Sequence, residues 1–466
     1  MSARHPRTLL TLACAVLLSL TPAALAQTQP QPAPPGESPA LGERLTLDEV
    51  RDLGLKQLRR EGMRIFTTRF NTYDGLGDGP MDHADPSQPG GRPTLQGNGT
   101  FLRLNGLDSQ TCVECHSIVS NATSPPTFGV GGVGGVSANA MAGLLDPDVD
   151  DTDGAGFASI RGRFINPPFN FGLGGIELLA REMTAELQAL AASAEAQPGV
   201  EVPLVTKGIS FGSVVFADGV LDRSGIQGVD DDLVIRPFGR KGSFPTVRAF
   251  DVDATQFHFG MQAVEVVGEH VDADGDGVVN ELTVGEISAL HAFQVLLERP
   301  RQVKPPNGGL ELFEATGCAT CHVPALTTNS ETHDLIFPDD PSDPRAEVYR
   351  TVKLSGKPAR FSRSGDGIEV PLFADLKRHD MGPGLAESTG DPLDAFFTTA
   401  RLWGVADTAP YMHDGRAGTL TEAILMHGGE AQAARDAFDV LPDDDRRLMI
   451  DFLRSLQTPR KATRGL

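Results

Sequence analysis

Basic residues are in short supply: 40 Lys and Arg stand against 62 Asp and Glu in 466 residues, a formal charge of −22. Such a surface repels polyanions, which argues against nucleic-acid binding and leaves room for a basic protein partner. Long hydrophobic runs are also missing. The apolar run at residues 9–20 falls short of the roughly 20 residues a bilayer-spanning helix needs, and no later stretch reaches that length, so no stable membrane insertion is expected. Tryptophan occurs once, at Trp403, and cysteine five times. What remains is a chain long enough for two domains and a sizeable core. Its 52 Gly and 34 Pro point to many loops.

The N-terminus is laid out as a secretory signal. Arg4 and Arg7 precede the apolar run, and Ala24, Leu25 and Ala26 form a small-residue cleavage site. Residues 1–26 are expected to be removed on export, which makes the protein periplasmic or secreted, and the Pro/Gln-rich stretch 27–40 to be a disordered leader. Cleavage removes Cys14. The four cysteines left share one setting: Cys112-Val113-Glu114-Cys115-His116 and Cys318-Ala319-Thr320-Cys321-His322. This is the attachment signature of c-type haem, in which two thiols add across the vinyl groups and the adjacent imidazole swings beneath the iron. A disulfide pair or a zinc site is the alternative, but neither calls for a His directly after each pair. Two covalently bound haem c groups are expected, one on Cys112, Cys115 and His116 and the other on Cys318, Cys321 and His322.

Helices are expected over residues 46–66, with Thr46 as N-cap, and over 176–194 and 287–297. Residues 204–221 read as a hairpin or small sheet. Residues 129–135 form a glycine-rich loop, and 146–153 an acidic, turn-rich insertion. Pro300, Pro305 and Pro306 break the chain, placing a boundary between an N-terminal haem domain at 41–305 and a C-terminal one at 306–466. A helix over 308–315 runs into the second motif, and a closing helix over 443–456 carries Leu448, Met449, Phe452, Leu453 and Leu456 on one face. The expected fold is mainly α: two cytochrome c-like haem domains with long loops and a small β element in the N-terminal domain.

Asp272, Asp274 and Asp276 alternate, Gly277 follows, and Glu281 comes ten residues into the run. The first six positions match an EF-hand loop, but Thr283 stands where a full loop has Glu. Ca2+ held by Asp272, Asp274, Asp276 and Glu281 with the Val278 carbonyl is one reading. An acidic surface turn capping the helix after Thr283 is the other.

The stretch F-F-T-T-A-R-L-W-G-V-A-D-T-A-P-Y-M-H-D-G-R-A-G-T-L-T-E-A-I-L-M-H-G-G-E-A beginning at Phe396, with H-D-M-G-P-G-L-A beginning at His379, resembles the bacterial di-haem oxidoreductases. These are described as peroxidases or thiol oxidoreductases and are related to di-haem cytochrome c peroxidases. The methylamine dehydrogenase maturation enzyme and the di-haem rubber oxygenases belong to the same wider group. The resemblance is close over residues 308–456 and looser upstream. In the peroxidases a Met or Tyr fourteen residues after the His of the H-D-G-like motif is the second axial ligand of the C-terminal haem. Counting from His413 reaches His427, so the resemblance implies a bis-His site of His322 and His427. Met412 or Met426 is the alternative ligand. His413 and Asp414 take structural or propionate-contacting places. Trp403 is either a relay between haems or core packing. Backbone oxygens of Thr408 and Pro410 correspond to an interdomain calcium site in the peroxidases.

The same resemblance leaves the His116 haem with an open face. Its distal residues correspond to residues 254–262, where Gln256 and His258 stand between Phe257 and Phe259. Either these residues move a proton to and from bound peroxide, or they only pack. The implied activity is reduction of hydrogen peroxide, a small-molecule substrate, at the N-terminal haem. Electrons would come through the C-terminal haem from a small redox protein such as a basic cytochrome c. Oxygenase cleavage of an unsaturated apolar substrate and pure electron transfer are the alternatives.

Overall fold

The computed structural model describes residues 36–77, 110–116, 144–148, 159–163, 166–338, 346–387, 391–460, 463 and 466. The signal peptide, the leader through residue 35, the glycine-rich loop at 129–135 and residues 149–153 of the acidic insertion lie outside the described residues.

Thr46 caps α1 (Leu47–Asp52). Its Oγ1 accepts the Glu49 N–H while the Glu49 carboxylate accepts the Thr46 N–H, so two end donors are satisfied reciprocally. The single helix read over 46–66 is in fact two. Leu53 and Gly54 turn extended, and α2 (Leu55–Thr67) restarts after Gly54. Glycine has the most backbone entropy to lose in a helix, so the break falls there. α3 (Leu173–Ser193), α4 (Val247–Ala254) and α5 (Val284–Val295) complete the larger core. α5 is buried from Gly285 to Val295, and its polar Glu286, Ser288, His291 and Gln294 are each hydrogen-bonded inside the core. Phe66 of α2 meets Phe293 edge-on at 5.6 Å. Gly62 permits that approach, because a Cβ there would lie 2.1 Å from the Ala289 carbonyl oxygen.

α6 (Gly309–Ala315), α7 (Leu420–Leu425), α8 (Gln432–Asp439) and α9 (Asp443–Arg454) surround a smaller core. Phe313 of α6 packs on Phe452 of α9 at 5.6 Å and on Phe373 at 6.2 Å.

Strand content overturns the mainly α reading. Helix takes 34% and strand 17%, the latter in several small sheets. One sheet lies where a hairpin or small sheet was expected: Glu201–Thr206, Ile209–Ala217 and Val220–Asp222 pair in sequence order. The rest lie largely between the second haem motif and Thr398. Thr332–Phe337 pairs with Glu347–Lys353, Leu326–Thr327 joins Ser362–Ser364 and Gly367–Val370, and Arg378–Asp380 pairs with Phe396–Thr398. Val348, Tyr349, Thr351 and Val352 show why: β-branched and aromatic side chains suit a pleated, half-buried surface better than a loop. Among the described residues no helix is long and apolar enough to cross a membrane.

Glu177, buried on α3, ties these elements together. Its Oε1 accepts from His333 Nε2 at 2.7 Å and its Oε2 from the Val247 N–H at 2.7 Å, while His291 Nε2 of α5 lies 3.2 Å from both oxygens. Arg181 is 3.5 Å away. Burial alone would raise this carboxyl, but His291, His333 and Arg181 hold it well below the usual carboxylate range. A depressed carboxyl contributes stability above its unfolded pKa, about 4.3, and loses it as the pH falls through the folded value. Glu177→Gln should therefore lower stability by roughly 3–5 kcal/mol at pH 7. In urea unfolding at a series of pH values, the gap to the parent protein should close below about pH 4.3. A gap of constant size down to pH 3 would contradict this role for the carboxylate.

Candidate functional site

The first cysteine motif is fastened to the end of α2. Phe70 N–H donates to the Gln110 carbonyl at 3.0 Å, and Thr111 Oγ1 donates to the Phe66 carbonyl at 3.1 Å. Residues Cys112–Glu114 then make one tight turn, closed by the His116 N–H on the Cys112 carbonyl at 2.8 Å. This turn places the His116 ring within reach of a distant carbonyl: Nδ1 donates to Pro168 O at 2.6 Å. A carbonyl oxygen can only accept, so the proton sits on Nδ1 and the lone pair on Nε2. Burial, with a smaller contribution from the charge of His258, lowers His116 to about 4, which keeps the ring a neutral ligand at pH 7.

The second motif repeats the design. α6 leads into the turn Cys318–Thr320, the His322 N–H returns to the Cys318 carbonyl at 3.0 Å, and Nδ1 donates to Phe373 O at 3.1 Å. Burial and the neighbouring His427 lower His322 to about 4. His427, just past the end of α7, donates Nδ1–H to Ala423 O at 2.8 Å. The ring centres of His322 and His427 are 6.4 Å apart. Two imidazoles on opposite sides of one metal ion stand about 6 Å apart, from two bonds of about 2 Å and about 1 Å from each nitrogen to its ring centre.

Both motifs open on one cavity of about 1210 Å³, lined by Cys112, Cys115 and His116 on one side and Cys318, Cys321, His322 and His427 on the other. That exceeds the roughly 300–1,000 Å³ of an ordinary ligand pocket. The four thiols are free of disulfides, and among the described residues no metal-ligating group joins the two motifs. Arg401 also lines the cavity. Its Nη1 is sealed from water without a partner, and burial lowers the guanidinium to about 10. A buried cation in this condition calls for an anionic ligand group. Thiols, neutral imidazoles, an unpaired guanidinium and a large apolar space together fit a haem with its propionates.

The remaining residues read from the sequence divide between wall and interior. His258 lines the cavity from a π-helical turn, Thr255–Phe259. Such turns often mark functional positions. Gln256 does not line the cavity, and the side chain of Phe257 lies outside the described residues. Trp403 is also off the wall, buried in the core against Phe361 at a ring distance of 6.2 Å, with its Nε1 unpaired. Thr408, Pro410, Met412, His413 and Asp414 all line the cavity, whereas Met426 is exposed elsewhere. His413 stacks on Phe397 at 4.5 Å, and Asp414 pairs with Arg416 at 2.5 Å. The Pro410 and Met412 carbonyls accept from Asn166 Nδ2 at 2.8 and 2.9 Å.

Two groups at this site escaped the sequence reading. His379 bonds Asp375 through Nε2 at 2.8 Å and Glu430 through Nδ1 at 2.7 Å, so the two motifs H-D-M-G and H-G-G-E meet. Burial works to lower this histidine, but Asp375, Cys321 and Glu430 raise it to about 11. Gly429 is required by the contact, since a Cβ there would lie 2.1 Å from the Asp380 carbonyl oxygen. On the other wall Asn170 Nδ2 donates to Gln294 Oε1 at 2.7 Å, and Gln294 Nε2 donates to Asp251 Oδ1 at 2.5 Å. Burial pushes the Asp251 carboxyl well up, and its Oδ2 has no partner.

Residues 352–456 match the family described as "Di-haem oxidoreductase, putative peroxidase". A protein named Cytochrome-c peroxidase IdrP2 from Denitromonas iodatirespirans is 27% identical over 202 residues, 42% of this chain and 49% of the relative. Its namesake from Pseudomonas sp. (strain SCT) is 24% identical over 209 residues, with the same two shares. The chain thus spans about half the length of the curated relatives it matches. A solved structure of hydrazine synthase from Kuenenia stuttgartiensis covers 44% of this chain and 60% of its own at 19% identity, with a TM-score of 0.25 that carries no argument. Over residues 352–456, the chain is therefore similar to the di-haem oxidoreductase family.

Proposed function

We propose that this protein is an exported di-haem c oxidoreductase that reduces hydrogen peroxide to two waters, using two protons and two electrons from a small redox protein. The observation that carries the reading is the shared cavity: two cysteine–histidine motifs face it, and only the second is opposed by another imidazole at metal-bridging distance among the ring pairs of the described residues. Cys112, Cys115 and His116 would hold one haem. Cys318, Cys321, His322 and His427 would hold the other. When bound, these groups supply iron for peroxide binding and for electron transfer.

The chain's own residues do the rest. The Pro168 and Phe373 carbonyls keep His116 and His322 in the tautomer that presents Nε2. Arg401 offers its unpaired Nη1 to an anionic edge of a ligand in the cavity. A second imidazole at His427 would close that site to outside ligands and suit it to electron transfer. His258, on the cavity wall, takes a proton from the near oxygen of peroxide and returns it to the leaving oxygen. The run at residues 9–20 with its cleavage site supports export, and the charge of −22 favours a basic donor protein.

A pyridine haemochrome assay on the exported protein should return two haems per chain, and Cys318→Ala should reduce covalent attachment to one. One haem in the parent protein would contradict the arrangement. His427→Ala should turn one low-spin ferric signal high-spin and open it to cyanide; an unchanged spectrum would move the axial role elsewhere.

The activity itself is read by stopped-flow oxidation of a reduced basic cytochrome c with hydrogen peroxide. His258→Ala should lower kcat/KM by about 10²–10⁴ while leaving both haems in place. A two-haem protein with no peroxide-dependent turnover would overturn the peroxidase reading.

A further inference from the structure

Residues 272–281 lie outside the haem cavity, and the functional reading above leaves them without a task. Asp272, Asp274 and Asp276 bring one carboxylate oxygen each to within 4.8 Å of one another. The chain turns at Gly275 between them and at Gly277 just after, at φ +75° and +92°, where side chains are disfavoured.

Asp274 sets this group apart from a solvated acidic turn. It is only 1% exposed, and its Oδ2 is sealed from water with no hydrogen-bond donor. A carboxylate oxygen can only accept, and leaving a buried one unmatched costs about 1–3 kcal/mol or more. The neighbouring acids, when ionised, have no donor to offer it. Glu281, 2% exposed, lies close enough to feel the charges of all three, and its Oε2 accepts the Gln262 N–H at 2.8 Å. Burial, reinforced by the mutual repulsion of these acids, pushes Asp274 to about 6 and Glu281 to about 9. Arg44, the cation on this side, is directed at Glu286 (2.7 Å) and at the Asn280 and Glu281 carbonyls (2.6 and 3.0 Å).

Helix capping does not explain the acids either. α5 is capped by its own box: Thr283 Oγ1 accepts the Glu286 N–H at 3.0 Å, and Glu286 Oε2 accepts the Thr283 N–H at 2.9 Å.

We propose that this loop binds one calcium ion through Asp272, Asp274, Asp276 and Glu281 with the Val278 carbonyl, and that the ion fixes the chain just behind His258. Four carboxylates and a carbonyl are hard oxygen donors of the kind calcium gathers in sixes to eights with tolerant geometry, whereas magnesium demands a near-ideal octahedron and keeps its water. Glu281 is the link to the turn. Besides holding the Gln262 N–H it packs against Gly75, where a Cβ would lie 2.3 Å from its Cγ. Leu282 N–H donates to the Gln262 carbonyl at 3.2 Å, Val264 N–H to the Leu282 carbonyl at 2.9 Å, and Gly77 N–H to the Phe259 carbonyl at 3.0 Å. A cation that seats Glu281 therefore braces the C-terminal end of the π-helical turn Thr255–Phe259. Neither part rests on the peroxidase reading.

The test is calorimetric titration of CaCl2, and separately MgCl2, into the whole haem-loaded protein after chelation, followed by hydrogen exchange with and without calcium. One calcium per chain should bind, with magnesium about tenfold weaker or more. Exchange over residues 255–282 should slow when calcium is added. Asp272→Ala, at an exposed position that does not threaten folding, and Asp274→Asn should each weaken calcium by about tenfold or more and abolish the protection. No calcium heat, or binding unaffected by both substitutions, would overturn the site. Binding without altered exchange over residues 255–264 would overturn the brace.

Discussion

Three backbone carbonyls decide where the lone pairs in this protein point. Pro168, Phe373 and Ala423 each take the Nδ1 proton of a histidine, at 2.6, 3.1 and 2.8 Å, and so leave the lone pair on Nε2 of His116, His322 and His427. The first of these depends on residues 166–168, a segment that also joins the two halves of the site. Asn166 donates its N–H to the His413 carbonyl at 2.8 Å and its side-chain N–H groups to Pro410 and Met412. The same three residues thus orient the first motif's imidazole and fix the loop that walls the second. Distance between the motifs in sequence is bridged by backbone hydrogen bonds.

The surrounding packing keeps that frame rigid. α2, which carries the first motif at its end, lies against the fully buried α5, and Glu177 links α3, α5, the start of α4 and the strand at His333 through hydrogen bonds with no exposed partner. Around the second motif Phe313, Phe373 and Phe452 form a tight aromatic group, and Phe373 also supplies the carbonyl for His322. Core and site share residues. A change in packing at Phe373 would therefore also move the carbonyl that orients His322.

Local chemistry was legible in the sequence and long-range chemistry was not. A cysteine–histidine motif occupies five residues, and the Thr46 cap and the closing helix are also near-neighbour patterns, so each could be read from spacing. His427 came from the resemblance, by counting from His413. Glu430 with His379, His291 and His333 with Glu177, and Arg401 with its unpaired nitrogen meet only in three dimensions, across separations of 51, 114 and 156 residues for the pairs. No periodicity announces them. The strands between Leu326 and Thr398 carry a weak signal for a different reason: each is short, two to seven residues, so their β-branched and aromatic residues alternate over too few positions to stand out from the loops expected of a cytochrome-like domain. Gln256 and Trp403 sit near the site in sequence but away from the cavity wall in space.

The account's central claim is that two irons occupy one cavity in unequal settings. Anomalous scattering at the iron absorption edge from crystals of the exported protein tests it most directly. Two iron peaks should appear, one between Nε2 of His322 and His427, the other beside Nε2 of His116. A single iron peak, or two peaks neither of which lies between His322 and His427, would contradict it.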